Sequence, residues 1–188
     1  MTFEQFYRFL DGRVSDAPLV LAVDGRACSG KSTLARTLAE RYGAQVISMD
    51  EFFLPLELRT PERYAEIGGN IHYERFCDEV ARPLAIGGTV EYGVFDCSEM
   101  RVTHTRRIEP RGLIVVEGVY SHHPRLGNYA DVTAALSIST DAQHKRLEMR
   151  EPPEKVRAYL DHWIPLEERY FGQFGIIEKS DIVIDVGL

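Results

Sequence analysis

The sequence of 188 residues predicts a single three-layer α/β domain over residues 1–188, with a mainly parallel sheet flanked by helices. Three observations predict it. Short apolar runs alternate with segments of helical period from one end of the chain to the other. Two of those runs, PLVLAVDG (18–25) and GLIVVEG (112–118), are apolar without alternation, as strands buried on both faces are. A glycine-rich turn joins the first run to a helical segment and then to another apolar run, and such a βαβ unit makes its strands parallel. A chain of this length can bury a core without disulfide or metal staples.

Each element follows in order. Phe3, Phe6, Tyr7 and Leu10 recur at helical spacing behind Thr2, a capping residue type, and Gly12 ends the run, so the chain opens with a short packing helix. Residues 18–25 form the first strand. Residues 31–43 are helical, with Leu34, Leu38 and Tyr42 on one face and Gly43 as the stop, and AQVISMD (44–50) is a second strand ending on Asp50. Residues 51–70 are polar, contain Pro55, Pro61 and the pair Gly68 and Gly69, and show no steady period; they read as a long surface segment of the kind that often carries function. The helical period resumes through Tyr73, Phe76, Val80 and Leu84. Residues 89–96 and 101–110 read as short strands or a hairpin, 112–118 and 134–140 as strands, 141–150 and 153–171 as helices, and 180–186 as a closing strand. The chain has no internal repeat, low-complexity run or linker.

Bulk chemistry removes several function classes. Acidic residues outnumber basic ones, 29 against 22, for a net charge of −7, which argues against a partner held by a nucleic-acid backbone. Cys28, Cys77 and Cys97 are an odd number without CxxC spacing, so neither a disulfide framework nor a zinc site is expected, and a reducing cytoplasm fits. No run approaches the roughly 20 apolar residues of a membrane span, and residues 1–13 lack the apolar centre of an export signal. The expected partner is a small molecule, neither nucleic acid nor membrane; a homo-oligomer is left open.

The chemistry concentrates in VDGRACSGKST (23–33), where Gly25, Gly30, Lys31 and Ser32 match GxxxxGK[ST], the phosphate-binding loop pattern of P-loop NTPases. The pattern lies between a buried strand and a helix that starts at the lysine, the setting its chemistry requires. Glycines let the backbone approach the phosphates, the amides of Ala27, Cys28, Ser29, Gly30, Lys31, Ser32 and Thr33 wrap them, and the helix N-terminus adds partial positive charge. Lys31 is placed to reach the β- and γ-phosphates of ATP, and Ser32 to ligate Mg²⁺. Cys28 reads as a small spacer, since no resolving thiol is near it in sequence. Glu117 ends the most apolar strand, where a carboxylate needs a cation or donors to meet it; it is either a magnesium-site residue or a structural cap. Asp50, at the end of the second strand, is either the base that orients an attacking hydroxyl or the cap of the following turn.

The NKxD of GTPases and the LSGGQ-like signature of ABC ATPases are absent, which leaves small-molecule kinases. From Val20 onward the order GRACSGKST, ISMDEFF, NIHYERF, LIVVEGVYS, ERYFGQFGIIEKSDIVI resembles the uridine kinase family of P-loop kinases, which is related to phosphoribulokinase. The resemblance implies a nucleoside/nucleotide kinase-like fold with a short helical lid over about 141–157, MgATP as donor, and Asp50 as the base for an acceptor hydroxyl. It implies lid arginines, for which Arg146 and Arg150 stand four apart on one helix face; surface charge is their alternative, and Lys145 and Arg157 are weaker candidates. In the acceptor pocket the chain departs from the family. NIHYERF puts Ile71 and His72 where an acid is sought, and VFDCS keeps Asp96 but has Phe95 in place of an aromatic hydroxyl. His72 and Asp96 are therefore candidate acceptor residues, with a structural role the alternative for His72. Arg59 and Arg63 read as solvated charges, and Trp163 as part of a helix interface. The expected function is an ATP-dependent phosphotransferase acting on a hydroxyl of a nucleoside such as uridine or cytidine. The alternatives are pantothenate, nicotinamide riboside or a pentose phosphate as acceptor, or a non-catalytic ATP-binding regulatory module.

Overall fold

A computed structural model describes residues 1–187. In chain order it contains α1 (Phe3–Asp11), β1 (Leu19–Gly25), α2 (Lys31–Tyr42), β2 (Gln45–Ser48), α3 (Pro61–Ala65), α4 (Tyr73–Phe76), α5 (Arg82–Ala85), β3 (Val90–Asp96), β4 (Arg101–Ile108), β5 (Leu113–Glu117), β6 (Val132–Ser137), α6 (Thr140–Arg150), α7 (Pro153–Ala158), α8 (Ile164–Phe174), α9 (Ile176–Lys179) and β7 (Ile182–Asp185). The expected fold class is borne out. Five strands form one sheet in the order β2-β5-β1-β6-β7, every neighbouring pair parallel, while β3 and β4 make a separate antiparallel hairpin.

Alternation along the central strands builds the three layers. On one face Val20, Ala22, Ile114 and Val116 pack against Phe76, Val80, Tyr170 and Phe171. On the other Leu21, Val23, Leu113 and Val115 pack against Phe6 and Leu10 of α1 and Leu34 and Leu38 of α2. α1 starts as its sequence predicts, with a capping box between Thr2 and Gln5 and a stop at Gly12.

Two helical stretches carry a wider π turn, at Cys77–Ala81 and Tyr159–Trp163. In each, the residue after the π turn donates five residues back, Arg82 to Cys77 and Ile164 to Tyr159, and a proline, Pro83 or Pro165, comes next. Proline has no N–H to give and its ring crowds the carbonyl four residues earlier; the wider turn relieves that crowding.

The polar segment 51–70 departs from the surface reading in part. Phe52 and Leu54 are fully buried, and an isolated bridge pairs Phe53 with Ile71, so the start of the segment is folded into the core. Phe52 supplies the reason, since its ring lies among Phe76 and Tyr92.

Candidate active site

The phosphate-binding loop leaves the C-terminal end of β1. Gly25 holds φ 154°, and a Cβ there would stand 2.6 Å from Ser29 Oγ and 2.8 Å from the Leu136 carbonyl oxygen, so no larger residue fits beneath the loop. Gly30 caps α2 with φ 100°. Cys28, between them, holds φ 61°, a left-handed conformation that costs a non-glycine residue about 1–3 kcal/mol and is commonly found where backbone clasps a ligand. Burial pushes the Cys28 thiol up, away from a reactive thiolate.

Lys31 is buried and donates from Nζ to the carbonyls of Gly25 (2.6 Å) and Arg26 (3.0 Å). Among the described residues it pairs with no carboxylate, and a buried ammonium with only carbonyl partners fits a site built for an anion. Ala27, Cys28, Gly30, Lys31, Ser32 and Thr33 line a cavity of about 570 Å³. Ser29 is turned under the loop, its hydroxyl without a partner among the described residues.

Strand order brings the acids to the same end of the sheet. Glu117 ends β5 between β1 and β2, level with Val23 on one side and Ser48 on the other. It is buried, accepts from Ser32 Oγ at 3.3 Å and from Ser48 Oγ at 3.0 Å, and burial raises its carboxyl while Lys31 opposes the rise. A serine hydroxyl beside a carboxylate is the hard oxygen set that Mg²⁺ uses when water and phosphate supply its other ligands. Among the described residues no cluster of three or more His, Cys, Asp or Glu side chains offers a metal cage.

Asp50 follows β2 in a tight turn over Met49–Phe52. Ser48 caps that turn, its hydroxyl accepting from the Asp50 amide at 3.4 Å. The capping alternative for Asp50 therefore falls to Ser48, and among the described residues the Asp50 carboxylate takes no hydrogen bond. It opens into the cavity beside Lys31 and Glu117. Enclosure by the cavity walls raises its carboxyl above the ordinary aspartate range, with Lys31 and Arg150 opposing and Glu51 adding to the rise.

Arg146 and Arg150 both reach this cavity from α6. Arg146 donates to the carbonyls of Cys28 (3.3 Å) and Val186 (2.5 Å), fastening the loop to the chain after β7. Arg150 pairs with Glu151 and lies over the Tyr159 ring. Lys145 and Arg157 are exposed and do not line the cavity.

His72 and Asp96 are not brought to the cavity. His72 caps α4, its Nδ1 accepting from the Arg75 amide at 3.0 Å. Asp96 closes the hairpin turn by accepting from Ser98 and Glu99, which holds its carboxyl below the usual range. Arg63 is not solvated: it pairs with Glu74 and lies over the Tyr73 ring. Arg59 donates to the Leu54 carbonyl.

Sequence reasoning missed the aromatic end of the cavity and its floor. Phe53, Tyr120, Tyr159 and Trp163 line it together with Asn70. Trp163 is thus a cavity residue, with Phe53 at 6.3 Å edge to face, and Tyr159, four residues before it, lines the same cavity. Glu167 of α8 lies buried under the loop and accepts from the Ala27 amide at 2.9 Å; burial pushes its carboxyl up to about 6 against the pull of Ala27, Lys31 and Arg26. Asp24, fully buried, accepts from the Gly25 and His122 amides and from the Tyr170 hydroxyl, joining the loop to α8.

A second cavity of about 510 Å³ lies across the loop and shares Gly30, Thr33 and Arg146 with the first.

Sheet order, loop and flanking helices define the class, the P-loop kinase fold. Among solved structures the chain is similar to one described as a possible uridine kinase from Bacillus stearothermophilus, with a TM-score of 0.76, 18% identity, and 97% of this chain and 96% of that chain covered. It is also similar to a candidate fructose transport system kinase from Silicibacter sp., with a TM-score of 0.67, 22% identity, and 97% and 98% covered. Among curated proteins it is similar to the uridine kinase of Clostridium perfringens, 23% identical over 185 residues, covering 90% of this chain and 88% of that one. The uridine kinase of Clostridium botulinum is 25% identical over 191 residues, with 90% and 89% covered, and that of Chloroflexus aurantiacus is 27% identical over 155, with 77% and 73% covered. No protein-family model matches the chain. The resemblance read from the sequence is borne out, and these relatives support a kinase.

Proposed function

We propose that the chain is an ATP-dependent kinase that moves the γ-phosphoryl group of MgATP to a hydroxyl of a small, uncharged, nucleoside-like acceptor. The observation that carries this is the Asp50 carboxylate, free of hydrogen bonds among the described residues and open to the same cavity as Lys31, Ser32 and Glu117. The loop amides and Lys31 hold the phosphates, and the triphosphate runs from the first cavity past Thr33 toward the second, which takes the donor nucleoside. Ser32 and Glu117 would hold Mg²⁺, which would supply positive charge to the phosphates. Asp50 accepts the hydroxyl proton as the new O–P bond forms and the bond to ADP breaks. Arg146 and Arg150 screen the charge that develops, the role their place on α6 supports.

The acceptor end favours an uncharged, planar molecule. Among the described residues the cations lining the first cavity are Lys31, Arg146 and Arg150, while Phe53, Trp163 and Asn70 are among the uncharged residues of its wall. Arg59 and Arg63, which a sugar phosphate would need, are engaged elsewhere. A cytoplasmic setting belongs to the same proposal and rests on the three unpaired cysteines.

The test is ADP formation from MgATP across a panel of nucleosides, riboside vitamins and sugar phosphates, with Asp50→Asn in parallel. One uncharged acceptor that stimulates turnover, with the stimulation lost in the variant by about 10²–10⁴-fold, is the expected result. ATP binding through Lys31 without stimulation by any acceptor would move the reading to a nucleotide-binding module.

A further inference from the structure

The helix α1 contributes no motif to the kinase resemblance. Phe6 and Leu10 account for its packing, since both are fully buried against the sheet. Tyr7 is half-buried against the same core, and Phe3 lies outside it. Phe3 is 38% exposed, its ring lies 6.4 Å from that of Tyr7 at an interplanar angle of 24°, and both rings line the second cavity. The facing wall is the phosphate-binding loop and the start of α2, Ser29, Gly30 and Thr33, and Val186 closes one end.

This arrangement is held in place before any ligand arrives. The Tyr42 hydroxyl donates to the Tyr7 carbonyl at 3.2 Å, the Arg41 guanidinium sits 5.0 Å over the Tyr7 ring, and the Met1 amino group donates to the Val183 carbonyl of β7. A pair of near-parallel aromatic rings on a fixed helix, beside a loop that holds phosphate, suits a planar ring linked to that phosphate. Asp50 does not line this cavity, so it stands on the donor side of the transfer.

We propose that α1 forms an aromatic wall of the donor-nucleotide site, with Phe3 and Tyr7 holding the base of the nucleoside triphosphate whose phosphates occupy the loop. The inference rests on the reading of the loop as an ATP site. It makes α1 a specificity element: the loop binds any polyphosphate, and α1 makes it prefer one that carries a base.

Calorimetric titrations of Mg-ATP and of Mg-tripolyphosphate against the whole chain test this, using wild type, Phe3→Ala, Tyr7→Leu and Lys31→Ala. Phe3 is exposed, so Phe3→Ala leaves the core intact, and tripolyphosphate binding checks the loop in every variant. The expected result is that each α1 substitution weakens ATP about tenfold, the loss of one stacked base contact, and leaves tripolyphosphate unchanged. Unchanged ATP affinity in both α1 variants, or an equal loss for ATP and tripolyphosphate, would overturn the aromatic wall. Lys31→Ala that binds ATP as tightly as wild type would instead overturn the loop reading beneath it.

Discussion

Replacing Glu167 with glutamine removes a negative charge from beneath the phosphate-binding loop while keeping an oxygen for the Ala27 amide, which the carboxylate now accepts at 2.9 Å. The carboxyl is 5% exposed and lifted from 4.5 to about 6, so ionising it in the folded protein costs about 2 kcal/mol more than in the unfolded chain. Between about pH 4.5 and pH 6 the folded state binds this proton more tightly than the unfolded state. Wild-type stability therefore falls by that amount as pH rises through the window and is flat above it, as far as this group is concerned. Glutamine has no proton to lose, and the buried Gln143 Oε1, unpartnered among the described residues, is an acceptor for its new amide. Urea unfolding of the ligand-free protein at about pH 4.5 and about pH 7.5 reads the difference. Glu167→Gln should match wild type at the lower pH and exceed it by up to about 2 kcal/mol at the higher one. A variant that is less stable than wild type at about pH 7.5, or whose difference does not change with pH, would refute the reasoning.

Three other substitutions probe the supports of the site. Gly25→Ala drives a methyl group into Ser29 and the Leu136 carbonyl; unfolding measurements should show a loss of about 1–3 kcal/mol, and titration should show ATP binding lost with it. Tyr170→Phe deletes the donor that meets buried Asp24 at 2.7 Å, and a fall of about 1.5–3 kcal/mol in urea-derived stability is expected, the range for a hydrogen bond to a charged group. Trp163→Ala removes an aromatic wall at the acceptor end; steady-state kinetics should show the acceptor KM rising about tenfold and the ATP KM unmoved.

The phosphate end of the site was legible because its chemistry is local. Gly25, Gly30, Lys31 and Ser32 lie within a few residues of one another in a single motif, and the strand before them and the helix after them show in the hydrophobic pattern. Glu117 was legible for a related reason, an acid at the end of an apolar run that had to find a partner. The acceptor end was not. Phe53 and Asn70 come from the two ends of segment 51–70 and Tyr159 and Trp163 from residues 159–163, and none stands out from core aromatics or loop amides at its own position. His72 and Asp96 looked eligible in sequence and are spent on capping a helix and closing a turn. Glu167 was invisible because an acid on an amphipathic helix is ordinarily a solvated one, and only the docking of α8 under the loop buries it.

The sequence by itself determined the parallel layered sheet, the phosphate loop with its lysine and serine, and the acids at the ends of two strands. Those features follow from periodicity and from motifs whose parts lie close along the chain. The tertiary structure decided that Ser48 caps the turn after β2, which arginines face the cavity, and that α1 and residues 159–163 carry aromatic rings to two different cavities beside the loop. Packing made those decisions because a side chain's direction depends on how elements distant in sequence dock, and no local pattern encodes that.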